Sequence, residues 1–338
     1  MTIYDISKEA GVSIATVSRV LNGNSNVRPK TRQKVMEIIE KYEYTPNAFA
    51  RGLGLNTMNS VGILVADCSD MFLAKAIYFV EKFLREQGYE TMLCSTGYSL
   101  EGKKEAMTFL LNKKVDSIIL IGSNFIFDKE SDNAYISEAA QKVPVMLLNA
   151  DYNCKNVYCV YCDDYQASFD CTSYLIENGA KNILHLYDAT TFSGKRKLSG
   201  YQQAVISHDL ELNKRLCCKY EGNRESAMDI ADFIESIAKS GVKFDAIAAS
   251  NDYMAMGALR YARHNKIKVP EELQVVGYNN TVLTTCSYPE LSSVDNNLEQ
   301  ISDRLVKSMI SVLAGEEIPQ KTVIPGELVN RGTTVQLI

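Results

Sequence analysis

The sequence predicts an α/β protein in two parts: a small helical headpiece at the N-terminus, then a larger core of two parallel-sheet subdomains. Three observations predict it. Two short helical patterns separated by a glycine open the chain. From Ser60 onward, apolar runs of four to six residues alternate with helix-length amphipathic stretches. That alternation is completed once and then begins again near residue 157. Unbroken apolar strands between helices imply parallel sheets covered on both faces, and two rounds imply two subdomains. A chain of 338 residues is also too long for one small core.

The headpiece rests on local signals. Thr2 with Asp5 three residues later has the form of a capping box, Ile6 and Ala10 give the first helix an apolar side, and Gly11 allows a tight turn. Ser13 is a good N-cap for the second helix, whose Val17, Val20 and Leu21 share one apolar face. Ile14, Ala15, Ser18, Arg19 and Asn22 lie away from that face. They include one long cation, several small residues and no acid, so this surface can approach a phosphate-lined groove closely. Helix, glycine turn, helix is the arrangement in which the second helix enters the major groove of DNA.

A third helix is expected over 28–43, with Pro29 at its first position, where the missing N–H costs nothing. Val35, Ile38, Ile39 and Tyr42 should close a small core with Ile6, Val17 and Val20. Residues 1–34 hold six cations against two acids, a net +4 in a chain of net −5. A basic end on an acidic protein points to a polyanionic partner.

Pro46 breaks the chain after Tyr44-Thr45, and residues 47–55 contain both Gly52 and Gly54. Each interior Gly costs a helix about 1 kcal/mol relative to Ala, so this stretch should not hold a helix alone. The expected division is therefore 1–45 headpiece, 46–59 hinge, 60–160 with 291–322 as one core subdomain, and 161–290 with 323–338 as the other.

In open α/β sheets, ligands sit beyond the carboxyl ends of the strands, and two facing sheets put those ends on opposite walls of a crevice. Position then selects candidates. Asp67, Ser69 and Asp70 follow the first strand, Ser123 and Asn124 the strand ending at Ile121, and Asn149 with Asp151 the strand ending at Leu148. Asp163 follows the strand at 157–162, Asn251 and Asp252 follow Ser250, and Asn279 with Asn280 follow Tyr278. Acids and amides concentrated there suit hydroxyl-rich ligands. Any one of them could equally cap the next helix, Asp252 above all.

Other chemistries are disfavoured. No apolar run reaches the ~18 residues of a membrane span. The first residues show no basic-then-apolar leader, so a cytoplasmic location and reduced thiols are expected for the nine cysteines. Cys159-Val-Tyr-Cys162 lies in a strand pattern, where the two thiols would face opposite sides, and it has no second pair; no metal or cofactor is expected. No Gly-x-Ser-x-Gly elbow and no glycine-rich phosphate loop after the first strand are present, so no catalytic residues are assigned.

The segments Ile3-Tyr4-Asp5-Ile6-Ser7 and Ala15-Thr16-Val17-Ser18-Arg19-Val20-Leu21-Asn22-Gly23 resemble the DNA-binding headpiece of the lactose-repressor family, and within it that of the catabolite control proteins. Asn26-Val27, Thr31-Arg32 and Lys34-Val35 continue the likeness, which runs more weakly over nearly the whole chain. The resemblance implies a periplasmic-binding-protein-like core. It also implies a homodimer on palindromic double-stranded operator DNA, controlled by a small effector held between the core subdomains. Arg19 would read a guanine edge, with Ile14 and Ala15 setting adjacent bases. Ser13, Thr16, Lys30 and Thr31 would position phosphates, with Ser18 and Asn22 on the same face. Leu53 corresponds to the leucine that wedges into the minor groove, and Arg51 would contact backbone.

Asn251-Asp252-x-Met-Ala-Met-Gly and Val-Val-Gly-Tyr-Asn279-Asn280 also resemble family signatures. Sugar-binding members usually carry arginine at the position of Lys197 and aspartate at that of Asn279, and the lactose repressor has an aspartate at that of Asn149. Arg196 could replace the missing fork. The implied effector is a sugar, a sugar phosphate or something similar. A phosphocarrier protein is a second implied kind of partner, and a solute-binding module without DNA function is the alternative reading. The helix expected at 71–88 carries Met71, Phe72, Ile77, Phe79, Val80 and Phe83, more apolar surface than one sheet face needs, and part of it is a candidate dimer contact.

Overall fold

The computed structural model describes residues 2–21, 26–42, 44 and 57–335. Asn22, Arg51, Leu53 and most of the expected hinge lie outside the described residues. The chain divides into two compact units, Met1–Ser60 with Lys114–Asp116, and Val61–Lys113 with Ser117–Ile338.

In the first unit, α1 (Ile3–Ala10) begins at a complete capping box between Thr2 and Asp5, and Gly11 ends it in the left-handed conformation at φ 66°. Helix α2 spans Ile14–Leu21 and α3 spans Pro29–Lys41, with Pro29 in its first turn. Ile6, Ala10, Val17, Val20, Val27, Val35 and Ile38 form their shared core. Tyr42 does not join it. The helix stops at Lys41, so Tyr42 sits at the C-cap, is exposed, and donates its hydroxyl to Glu9; Tyr44 packs on the core instead.

The second unit contains two six-stranded sheets. Its elements are β1 (Ser60–Val65), α4 (Met71–Glu86), β2 (Glu90–Ser95), α5 (Leu100–Asn112), β3 (Ser117–Ile121), α6 (Ala134–Ala140), β4 (Val145–Leu148) and β5 (Val157–Cys162). There follow α7 (Asp164–Glu177), β6 (Ile183–Tyr187), α8 (Phe192–Ser207), β7 (Cys217–Lys219), α9 (Ala227–Lys239), β8 (Ala246–Ala249) and α10 (Asp252–His264). The last are β9 (Gln274–Tyr278), α11 (Leu283–Cys286), β10 (Ser292–Asp295), α12 (Leu298–Leu313), β11 (Lys321–Ile324) and β12 (Glu327–Val329).

The first sheet runs β11-β5-β4-β3-β1-β2 and the second β12-β10-β9-β8-β6-β7. Parallel pairing sets Ile63 opposite Ile119 and Ile119 opposite Met146. The second sheet pairs the same way, and only its edge strand β12 lies antiparallel, against β10. Parallel strands align their carboxyl ends, so each sheet presents one row of loops.

The sheet order corrects the expected subdomain boundaries. Residues 292–295 belong to the second sheet as β10, so the chain returns to the first sheet only between Asp295 and Leu298, not at 291. It leaves again between Ile324 and Glu327. Ser292 and Ser293 hide the strand from a hydropathy reading, yet both are fully buried, their hydroxyls bonded to Thr334 and Asp252. Helix α12 then packs against α4, β4 and β5, with Ile301, Leu305, Val306 and Met309 in the core of the first sheet.

Candidate functional sites: a helix face and a cleft

In the first unit, α2 buries Val17 and Val20 and exposes Ile14, Ala15 and Arg19, with Thr16 and Ser18 partly exposed. Its first turn holds no acid. Ser13 accepts the Thr16 backbone N–H at 3.2 Å and shares a hydroxyl–hydroxyl bond of 2.9 Å with Thr16. That exchange leaves the start of α2 polar and uncharged. Lys30 is exposed and Thr31 partly so, at the start of α3.

In the second unit, loops from both sheets enclose a cleft of about 560 Å³. Of the residues expected there, Asp67, Asp70, Ser123, Asn124, Asn149, Lys197, Asn251, Asp252 and Asn279 line it. Asn149 and Asn279 hold left-handed backbone, φ 63° and 93°, a conformation that asparagine tolerates better than most residues.

Five expected residues are not part of the lining: Ser69, Asp151, Asp163, Arg196 and Asn280. Arg196 donates to Asp163 at 2.5 Å, and its guanidinium lies 5.9 Å from the Tyr165 ring and 5.7 Å from the Phe192 ring. The pair closes on itself at the start of α7, so Arg196 does not replace a ligand-binding fork. Ser69 donates its hydroxyl to Asp67 at 2.7 Å, and its N–H bonds the same oxygen at 2.8 Å. It holds Asp67 in place, and these bonds keep the Asp67 carboxyl below its usual range.

Two lining residues are consumed structurally. Asp252 is buried and accepts the Thr281 N–H at 2.7 Å, the Thr281 hydroxyl at 2.8 Å and the Ser293 hydroxyl at 2.6 Å. It therefore ties α10 to the loop after β9. The capping role falls to Asn251, whose Oδ1 accepts the Met254 N–H at 3.0 Å while its Nδ2 donates to Asp188 at 3.1 Å. Lys197 is buried. Its amine donates to the Ser250 carbonyl at 3.0 Å and lies 3.6 Å from the centroid of the Tyr278 ring. Burial lowers its pKa, opposed first by Asp164. The Tyr278 hydroxyl donates to Asp164 at 2.6 Å, and burial beside that carboxylate raises its pKa well above the usual value.

The lining also holds residues the sequence argument passed over: Tyr98, Asp188, Thr191, Arg224, Glu225 and Tyr253. Asp188 directly follows β6 and Tyr98 follows β2, so the strand-end rule that selected Asp67 would have selected both. Contacts also cross the cleft. Ser123 donates to Thr191 at 2.8 Å, Lys195 pairs with Asp128, and Arg224 lies 6.0 Å from the Tyr98 ring.

Cys159 and Cys162 lie on β5 as free thiols, both pushed up to about 12 by burial, which suits packing and opposes nucleophilic or metal-binding use. Among the described residues no cluster of three His, Cys, Asp or Glu could hold a metal ion, and no helix is long and apolar enough to cross a membrane.

Residues 2–47 match the model of bacterial regulatory proteins of the lacI family, and residues 172–334 match that of the periplasmic binding protein-like domain. An HTH-type transcriptional regulator of Lachnoclostridium phytofermentans is 45% identical over 99% of both chains. Catabolite control protein A of Staphylococcus xylosus is 34% identical over 99% of both. A solved structure of the lac repressor dimer bound to operator and an anti-inducer covers 99% of both chains with a TM-score of 0.86, at 23% identity. The helix face, the two-sheet core and these relatives lead to one assignment: the chain belongs to the lacI family of bacterial regulatory proteins, as a DNA-binding transcriptional regulator and not an enzyme.

Proposed function

We propose that the protein is a cytoplasmic homodimeric repressor of carbohydrate or related metabolite genes, and that a small molecule in the cleft controls its grip on a palindromic operator. The exposed face of α2 carries this reading: Arg19 is exposed and has no ion pair among the described residues, on a helix that buries its other side. Arg19 reads a base edge, with Ile14 and Ala15 against its neighbours, and Ser13, Thr16, Lys30 and Thr31 hold phosphates. A ligand that binds one arrangement of the two core walls more tightly shifts the population toward it.

Helix α4 supplies the dimer contact in this reading. Val80 is buried beneath it, but Tyr78 is exposed and Phe79 stacks on Phe83 with ring centroids 6.4 Å apart, beside a hollow of about 730 Å³ that reaches α12 and Val282.

A gel shift on symmetric and scrambled duplexes at two salt concentrations tests the proposal. Binding should prefer the symmetric site and fall steeply with salt. Arg19→Ala should lose about 1–3 kcal/mol of base discrimination, whereas Lys30→Ala should weaken all sequences alike. No preference for the symmetric duplex with any metabolite would sink the reading. Likeness to catabolite control protein A favours a second one, in which a phosphocarrier protein strengthens the same shift. Its test is to add such a protein to the binding reaction.

A further inference from the structure

We propose that the cleft selects a sugar-sized ligand bearing a protonated amine and turns away phosphorylated ones. The inference rests on the cleft being the effector site. Five carboxylates line the cleft, on Asp67, Asp70, Asp188, Glu225 and Asp252, against two cations, Lys197 and Arg224. Both cations are committed to the protein. Lys197 is bonded to the Ser250 carbonyl beneath the wall. Arg224 donates to the Asp188 carbonyl at 3.1 Å and pairs with its carboxylate at 3.4 Å.

Two of the acids are committed as well: Asp188 to Arg224 and Asn251, and Asp252 to Thr281 and Ser293. Asp67, Asp70 and Glu225 remain with no ion pair among the described residues, although Ser69 bonds one oxygen of Asp67 and the Leu73 N–H bonds one oxygen of Asp70, the N-cap of α4. They come from both walls, two after β1 and one after β7.

Their fields converge on aromatic rings of the same cleft. Burial is the main cause that raises the Tyr98 and Tyr253 hydroxyls; Asp70, Asp67 and Asp188 add to it at Tyr98 against the opposing Arg224, and Glu225 with Asp70 adds to it at Tyr253. Phe72 lines the space too. Carboxylates around aromatic faces are what an ammonium group needs, a charge partner and a π surface together. Burial raises the Asp70 carboxyl and the Asp67 charge adds to it, against the Leu73 and Phe72 N–H groups and Arg224, which lower it; a bound cation would favour the charged form further. A phosphate dianion would meet the same carboxylates, with Lys197 buried against Ser250 and Arg224 already shared with Asp188. The start of α8 also reaches the cleft at Thr191, Ser193 and Gly194, and a phosphorylated ligand in the test measures its pull.

The experiment is calorimetric titration of the full chain with matched ligands: glucosamine, glucose, N-acetylglucosamine and glucose 6-phosphate, and the corresponding galactose and disaccharide sets. In at least one set the amine should bind about ten-fold tighter than its neutral counterparts, with the phosphate weakest. Asp67→Asn and Asp70→Asn should bring the ratio of amine to neutral affinity, measured within each variant, down to about two-fold or less; asparagine can still cap α4 at position 70. Neutral or phosphorylated ligands binding as tightly as the amine, with binding lost in Tyr253→Ala, overturn the amine inference and leave the cleft as the effector site. No binding in any set counts against both.

Discussion

The two walls of the cleft share a topology and differ in what lies behind it. Behind the first, β1, β3 and β4 are buried aliphatic strands, with Val61, Ile63, Ile119, Ile121, Met146 and Leu148 packed on α4 and α12. Behind the second, a buried polar layer runs through the core. Asp164, Lys197 and Tyr278 form one part, and Asp252, Ser293 and Thr281 another. His185 lies between Tyr201 and Tyr187, with ring centroids 4.9 and 5.6 Å away. The first wall is positioned by packing, which is non-directional; the second by hydrogen bonds, which fix where each loop points. Changes of charge and pH should therefore be felt in the second wall, and changes of volume in the first.

The largest break should come from Asp252→Ala. It strips the acceptor from three donors at once, the Thr281 N–H and the hydroxyls of Thr281 and Ser293. Each donor left unpaired in a buried place costs about 1–3 kcal/mol, so the loss should be on the order of 4 kcal/mol. Urea unfolding measures it, and Asp252→Asn should lose less because it keeps an acceptor. A loss under 1 kcal/mol would remove the claim that hydrogen bonds position this wall.

How far this difference was legible depends on the range of the signals. The headpiece rests on contacts three or four residues apart, such as Thr2 with Asp5 and Ser13 with Thr16, and its helices follow from them. The cleft lining follows from strand ends, which is why Asn124, Asn149 and Asn279 fall on it. What stayed hidden is pairing at long range. Nothing local tells that Arg196 is taken by Asp163, 33 residues earlier, or that Ser293 lies 41 residues beyond the carboxylate it serves. The polar strand β10 was masked for the same reason.

His185 sharpens the comparison through pH. Burial, with the nearby Lys197 charge second, pulls its pKa down to about 3 from 6.5. A histidine kept neutral in the folded state binds its proton first when unfolded. Its contribution is intact above pH 6.5 and is lost progressively as pH falls toward 3. Each pH unit in that window costs up to about 1.4 kcal/mol. His185→Phe, which keeps a ring between Tyr187 and Tyr201, should flatten the acid limb of a melting-temperature profile. An unchanged limb would place the acid sensitivity elsewhere.

Ile119→Val tests the first wall by volume alone. It removes one methylene from a fully buried site between β1 and β4 and should cost about 1 kcal/mol, with no change in pH dependence. A cost that varied between pH 5 and 7 would mean that packing and charge are coupled across the sheet.

The smallest expected effect is the most discriminating, because the first wall does hold one buried cation among the described residues. Lys103 is 1% exposed; its amine donates to the Asn124 carbonyl at 2.5 Å and lies 5.2 and 4.4 Å from the rings of Phe125 and Phe127. Burial alone lowers its pKa to about 8, and no carboxylate shares the cost. Lys103→Met keeps the length and apolar stem, gives up one hydrogen bond, and removes a charge that is costly to desolvate. Those terms oppose each other, so stability should move by no more than about 1 kcal/mol in either direction. If instead Lys103→Met lowered stability as much as Asp252→Ala, the first wall would also be hung on a polar anchor. The contrast between the walls would then be one of degree, with Asn124 held as firmly as Thr281.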